Sequence, residues 1–159
     1  MAKDTKTNAM RILESAGIAY KEHTYPCDGF TDGVTVAGLL SQDVDQVFKT
    51  LVAQGKSNAY CVFVIPVAAE LDLKKAALAA GEKNVEMIHV KDITRITGYV
   101  RGGCSPIGMK KAFATYIDET AQLFDTIFVS GGRLGMQMEL APDDLCQASG
   151  ATYCDLTKA

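Results

Sequence analysis

The 159-residue sequence has no tryptophan, only four prolines, and only two histidines, His23 and His89. Its five cysteines, Cys27, Cys61, Cys104, Cys146 and Cys154, are odd in number and include no C-x-x-C pair. Neither a disulfide framework nor a zinc site is supported by that set, so no metal and no cofactor are expected. No apolar run reaches the 18 residues of a membrane span, and the charged start, Met-Ala-Lys-Asp-Thr-Lys, has no apolar stretch behind it that would read as a secretory signal. The expectation is a cytoplasmic protein without membrane association. Excess positive charge is also missing: 16 Lys and Arg face 19 Asp and Glu, a net charge of −3. Nonspecific binding along nucleic acid needs a broad basic face, so any nucleic-acid contact must be local.

What is present is 48% apolar and 22% charged residues with no low-complexity run, the profile of a globular domain. Length, and the lack of any linker or internal repeat, assign residues 1–159 to a single domain. Asp4 or Thr5 can cap a helix with apolar positions Ala9, Ile12, Leu13 and Ala16, which Gly17 stops. Residues 18–25 read as a strand broken at Pro26-Cys27-Asp28-Gly29, and 34–41 as a short apolar helix. Two β runs, 46–54 and 59–66, flank a Gly-Lys-Ser-Asn turn and predict a hairpin. Helices follow over 71–80, with Asp72 an early-turn acid and Gly81 a stop, and over 90–96, with a short strand at 85–88 between them. The remainder reads as strand 112–117, a short helix from Asp118, strands 126–130 and 136–140, a helix opened by Pro142 and ended near Gly150, and an edge strand at 151–154. Strands and helices mix without a βαβ rhythm, which predicts a mixed α/β (α+β) fold with a curved, barrel-like mixed sheet surrounded by helices.

The stretch Gly98 to Lys111, Gly-Tyr-Val-Arg-Gly-Gly-Cys-Ser-Pro-Ile-Gly-Met-Lys-Lys, exposes backbone rather than side chain, and successive N–H groups in such a loop can converge on an oxygen. A second glycine turn, Gly131-Gly132-Arg133-Leu134-Gly135, follows the strand ending at Ser130. In the 46–54 strand, Lys49 alternates onto one face with Val47, Leu51 and Ala53, while Phe48, Thr50 and Val52 take the other. Lysine is seldom buried without a partner, so it either marks the solvent face or serves a site. If Lys49, the Gly102-Gly103 amides and the Ser130–Gly132 turn converge, they make an anion-tolerant pocket without a protein nucleophile. Neither histidine lies in a motif, Ser105 precedes Pro106 without a G-x-S-x-G frame, and Cys104 has no histidine base near it in sequence.

Three stretches, Val-Phe-Lys-Thr-Leu-Val (47–52), the 98–111 loop, and Val-Ser-Gly-Gly-Arg-Leu-Gly-Met-Gln-Met-Glu-Leu (129–140), resemble the signatures of the YbaK/EbsC family. Lys-Thr-Asn-Ala-Met-Arg-Ile-Leu-Glu near the start and Glu-Leu-Asp-Leu-Lys-Lys (70–75) extend the resemblance over nearly the whole chain. It implies a YbaK/ProX-like editing domain that deacylates mischarged tRNA in trans, above all cysteine on proline tRNA and also on cysteine tRNA. The resemblance further implies engagement of the acceptor end and terminal adenosine, with prolyl-tRNA synthetase as a helper, and the protein is expected to be a monomer. Carried over by motif position, Lys49, Gly102 and Gly103 are the catalytic residues. Tyr20, Phe30, Thr50, Cys104, Ser105 and Pro106 would contact substrate, as would Ser130, Gly131, Gly132, Arg133 and Gln137. In the account the family implies, the thiol of the attached cysteine attacks its own ester carbonyl while the loop amides stabilise the oxygen. Two positions depart from the family pattern, Leu134 where many relatives are basic and Gln137 where many are acidic. These departures keep a broader alanine or serine ester hydrolase and a non-catalytic amino-acid or nucleotide binder as alternatives. A thiol redox protein built on Cys104 lacks a resolving partner.

Overall fold

A computed structural model describes residues 6–159. Its elements run α1 (Asn8–Ser15), β1 (Lys21–Thr24), α2 (Gly33–Leu39), β2 (Phe48–Gly55), β3 (Tyr60–Pro66), α3 (Leu73–Ala80), β4 (Val85–Met87), α4 (Ile93–Thr97), β5 (Ala114–Asp118), β6 (Ile127–Ser130), β7 (Met136–Leu140), α5 (Pro142–Ser149) and β8 (Thr152–Cys154). Short 3₁₀ turns cover Val90–Asp92, ahead of α4, and Glu119–Leu123, after β5. Local chemistry accounts for most of these boundaries. The Thr7 hydroxyl accepts the Met10 N–H to cap α1, whereas the expected caps Asp4 and Thr5 lie outside the described residues. Asp72 caps α3 by accepting from Lys74 and Lys75 N–H, a stronger role than an early-turn acid. The first strand is shorter than the pattern suggested, because Ile18 N–H returns to Leu13 O and places Ile18 in the core.

The strands form two sheets, β1-β7-β6, which is antiparallel, and β4-β2-β3-β5-β8, which is mixed. Within the second, β2 pairs antiparallel with both β3 and β4, while β3-β5 and β5-β8 are parallel. The sheets join at one bridge, Val47 to Phe128, reinforced by Phe128 N–H to Gln46 O at 3.0 Å. The mixed α/β architecture agrees with the sequence pattern.

Both faces of β2 are covered. Phe48 and Val52 enter the main core with Val62, Val64, Met10, Leu13, Ile127 and Met138, between the two sheets, α1 and α5. On the opposite face Ala53 packs with Phe63, Ile65 and the α3 residues Ala76 and Ala77. Each large aliphatic or aromatic side chain buried in this way contributes about 1.5–3 kcal/mol. Lys49 therefore does not sit on a solvent face. It lies just outside two apolar layers, near the point where the sheets meet.

Candidate active site

A cavity of about 480 Å³ opens across the first half of β2, bounded by α2, the Val90–Asp92 turn with α4, the glycine loop, and the ends of β6 and β7. Lys49 and Thr50, from opposite faces of β2, both line it, as do Phe30, Gly102, Cys104, Ser130 and Gln137. Of the residues expected to touch substrate, these seven come together.

Lys49 is half-buried and makes no ion pair among the described residues. Burial lowers its pKa from the ordinary lysine value, and the charge of Glu70 offsets this in part. Thr50 Oγ1 is the one buried side-chain polar atom without a hydrogen-bond partner among the described residues. A buried hydroxyl left unpaired costs about 1–3 kcal/mol, so a cavity holding both an unpaired ammonium and an unpaired hydroxyl is built to receive polar groups.

The glycine loop explains its own composition. Gly103 N–H donates to Val100 O at 2.9 Å, closing a β-turn whose third residue, Gly102, has φ +83°, the left-handed region such a turn requires of glycine. A Cβ on Gly103 would lie 2.9 Å from Arg133 Cα, because the two glycine turns touch backbone to backbone. The Gly102 and Gly103 amides, expected to act together, differ in their hydrogen bonding. The Gly103 N–H is occupied within the turn, while the N–H groups of Gly102 and Cys104 donate to no acceptor among the described residues. A side chain at Gly103 would meet the Arg133 backbone, so the close packing here needs glycine. Arg101, at the second position of the turn, places its guanidinium 4.0 Å above the Phe30 ring, so the two rims of the cavity meet there.

The remaining candidates do not line the cavity. Ser105 and Pro106 are buried beneath the loop, and Ser105 Oγ accepts Ile107 N–H at 3.3 Å. Gly131 O accepts the Thr7 hydroxyl, and Gly132 N–H donates to Ser130 Oγ at 3.2 Å. Arg133 lends its backbone to the Gly103 contact and lies outside the cavity wall. Asn8 Nδ2 donates to Gly108 O at 3.0 Å, so the start of α1 ties down both glycine segments. Tyr20 also lies outside the cavity, its hydroxyl donating to Glu14 at 2.7 Å, whereas Tyr25 lines the wall. Positions 20 and 25 fall on opposite sides of an extended chain, a parity that points to Tyr25 and His23 as one face. His23 itself is held by Glu139 at 2.8 Å and does not reach the cavity.

Chemically, the cavity presents two cations, Lys49 and Arg101, together with the unpaired Thr50 hydroxyl. Burial pushes the Cys104 thiol up to about 11, so it is neutral at physiological pH and a poor nucleophile. Gln137 is 4% exposed and bonded by both ends of its amide to Gln42. Among the described residues no group of three or more His, Cys, Asp or Glu is placed to hold a metal ion, and no helix is long and apolar enough to cross a membrane.

Residues 31–148 match the family model of the aminoacyl-tRNA editing domain. A protein of Enterococcus faecalis, provisionally named a Cys-tRNA(Pro)/Cys-tRNA(Cys) deacylase, EbsC, is 46% identical over 153 residues, which span 96% of this chain and 93% of that protein. Among solved structures, a provisionally assigned trans-editing enzyme for prolyl-tRNA synthetase superposes with a TM-score of 0.84 at 24% identity, covering 98% of this chain and 100% of the other. A hypothetical protein superposes at 0.86 and 21% identity, with 96% and 100% covered. These last two likenesses establish the shared fold.

Proposed function

The chain belongs to the aminoacyl-tRNA editing domain family, and from that premise we propose that it is a trans-acting deacylase that clears mischarged tRNA, with cysteine on proline tRNA or cysteine tRNA its main substrate. The observation that carries the reading is the half-buried Lys49 without an ion-pair partner among the described residues, in a cavity also lined by the unpartnered Thr50 hydroxyl and by Gly102, whose N–H has no acceptor among those residues. Residues 1–159 act in this reading as a single cytoplasmic editing domain. The protein works as a monomer on the acceptor end and terminal adenosine, and prolyl-tRNA synthetase supplies the choice of tRNA body.

The chemistry is proposed to be internal to the substrate. The cysteine sulfur bonds to its own ester carbonyl carbon, the bond from that carbon to the ribose oxygen breaks, and the thiol proton ends on the ribose oxygen. Holding sulfur and carbonyl in attack geometry can supply about 7–11 kcal/mol of the barrier. Lys49 and the Gly102 N–H stabilise negative charge as it develops on the carbonyl oxygen, and Thr50 offers a hydrogen bond to the bound aminoacyl-nucleotide. No protein nucleophile is needed, which fits a neutral Cys104.

The test is release of labelled amino acid from cysteinyl-, alanyl- and seryl-proline tRNA, with Lys49→Ala alongside. Loss of cysteine alone, dependent on Lys49, supports the reading. Comparable loss of alanine or serine replaces substrate-thiol chemistry with a broader, water-using hydrolase, and release of none of the three favours a binding module.

A further inference from the structure

Charge is unevenly distributed along the chain. Residues 87–117 carry five cations, Lys91, Arg95, Arg101, Lys110 and Lys111, against one acid, Asp92, whereas the rest of the chain has eleven cations and eighteen acids. The fold draws the cation-bearing part of this segment, residues 91–111, together around α4. The glycine loop leaves α4 at Gly98 and returns to it, with Lys110 N–H on Thr97 O at 3.0 Å and Lys110 Nζ on Arg95 O at 3.1 Å. Arg95 pairs with Asp92 at 3.3 Å, which neutralises the segment's single acid. Lys91 and Lys111 are exposed and join no ion pair among the described residues.

This surface borders the cavity mouth directly. Val90, 55% exposed, lines the cavity and is followed at once by Lys91, and Arg101 lines it from the loop side. A ligand reaching the cavity on the end of a polyanion therefore meets cations on one side of the mouth, while the remaining surface of this acidic protein repels it.

We propose that the 91–111 surface is the docking site for the phosphodiester backbone of the tRNA acceptor stem, with Lys91 and Lys111 contacting phosphates beyond the terminal nucleotide. This rests on the deacylase reading above and deepens it by assigning the track along which the stem lies. Contacts to phosphate carry no sequence information, so the surface adds affinity without choosing a tRNA.

Lys91→Ala/Lys111→Ala is compared with wild type on full-length cysteinyl-proline tRNA and on a cysteinyl-adenosine ester, across a salt series. The expected result is a KM for tRNA raised about tenfold with kcat unchanged, a salt slope reduced by about two, and unaltered cleavage of the adenosine ester. Unchanged KM and slope on tRNA, or equal impairment of both substrates, overturns the assignment. So does an equal effect from Lys74→Ala/Lys83→Ala, which removes the same charge elsewhere. If wild type cleaves neither substrate, the deacylase reading fails by itself, and salt-dependent binding of uncharged tRNA decides the surface: weaker binding with a shallower slope in the 91/111 variant supports it, and identical binding overturns it.

Discussion

Gln42 and Gln137 hold each other's side-chain amides in a reciprocal pair, Gln42 Nε2 donating at 2.8 Å and Gln137 Nε2 at 3.0 Å. Gln42 follows α2, with its N–H on Ala37 O, and Gln137 lies on β7, so the pair fastens one cavity wall to another. Gln42→Ala leaves the buried Gln137 amide without that partner and should destabilise the protein by about 1–3 kcal/mol in urea unfolding. The double variant Gln42→Leu/Gln137→Leu should lose less than the sum of the single Leu variants, a coupling that a double-mutant cycle measures directly.

Lys49→Ala should reduce cysteine release by at least about 100-fold, the scale of losing one preorganised charge-stabilising group, with melting temperature no lower than wild type. A folded variant with full activity would remove Lys49 from the mechanism.

The depressed Lys49 pKa also has a sign in stability. Between its folded-state value and the ordinary 10.5, the unfolded chain binds more protons than the folded one, so wild-type stability rises with pH across that window. Lys49→Met lacks the rise. Its stability advantage should be largest at neutral pH and shrink as pH nears 10.5, as thermal melts at several pH values would show.

Cys104→Ser should keep most of the activity, and the wild-type Cys104 thiol should react slowly with iodoacetamide at neutral pH, because its pKa is near 11. Destruction of turnover by this variant would rule out the substrate-thiol account.

Gly103→Ala places a Cβ 2.9 Å from Arg133 Cα and 3.1 Å from both Arg133 C and Leu134 N, all backbone that cannot rotate aside. Overpacking of this kind costs about 1–3 kcal/mol, and the displaced loop should lower kcat more than it lowers melting temperature. Activity unchanged under conditions where the variant is folded would show that the contact between the two turns does not set the site.

Much of the architecture was legible in the sequence. The hairpin around Gly55-Lys56-Ser57-Asn58, the α3 stop at Gly81, and Pro142 at the start of α5 rest on caps, turns and alternation, which act over a few residues. The two glycine segments stood out for the same reason. Tyr20 was carried over by motif position, and the structure seats it on Glu14 and places Tyr25 at the cavity instead, since a short strand's start depends on the α1 turn before it.

By itself the sequence determined which segments would be helix, strand or exposed backbone, and that Lys49 would lie beside apolar neighbours. Only the tertiary structure decided which polar groups remain available. Gly103 N–H, Ser130 Oγ and the Gln137 amide are occupied by Val100, Gly132 and Gln42, while Lys49, Thr50 and Gly102, which line the cavity, keep an ammonium, a hydroxyl and an N–H without partners among the described residues. The physical reason is range. A turn or cap is set by neighbours in the chain, but whether a donor is satisfied depends on contacts such as Gln42 with Gln137, 95 residues apart, and Thr7 with Gly131, 124 apart, which form only when the sheets meet.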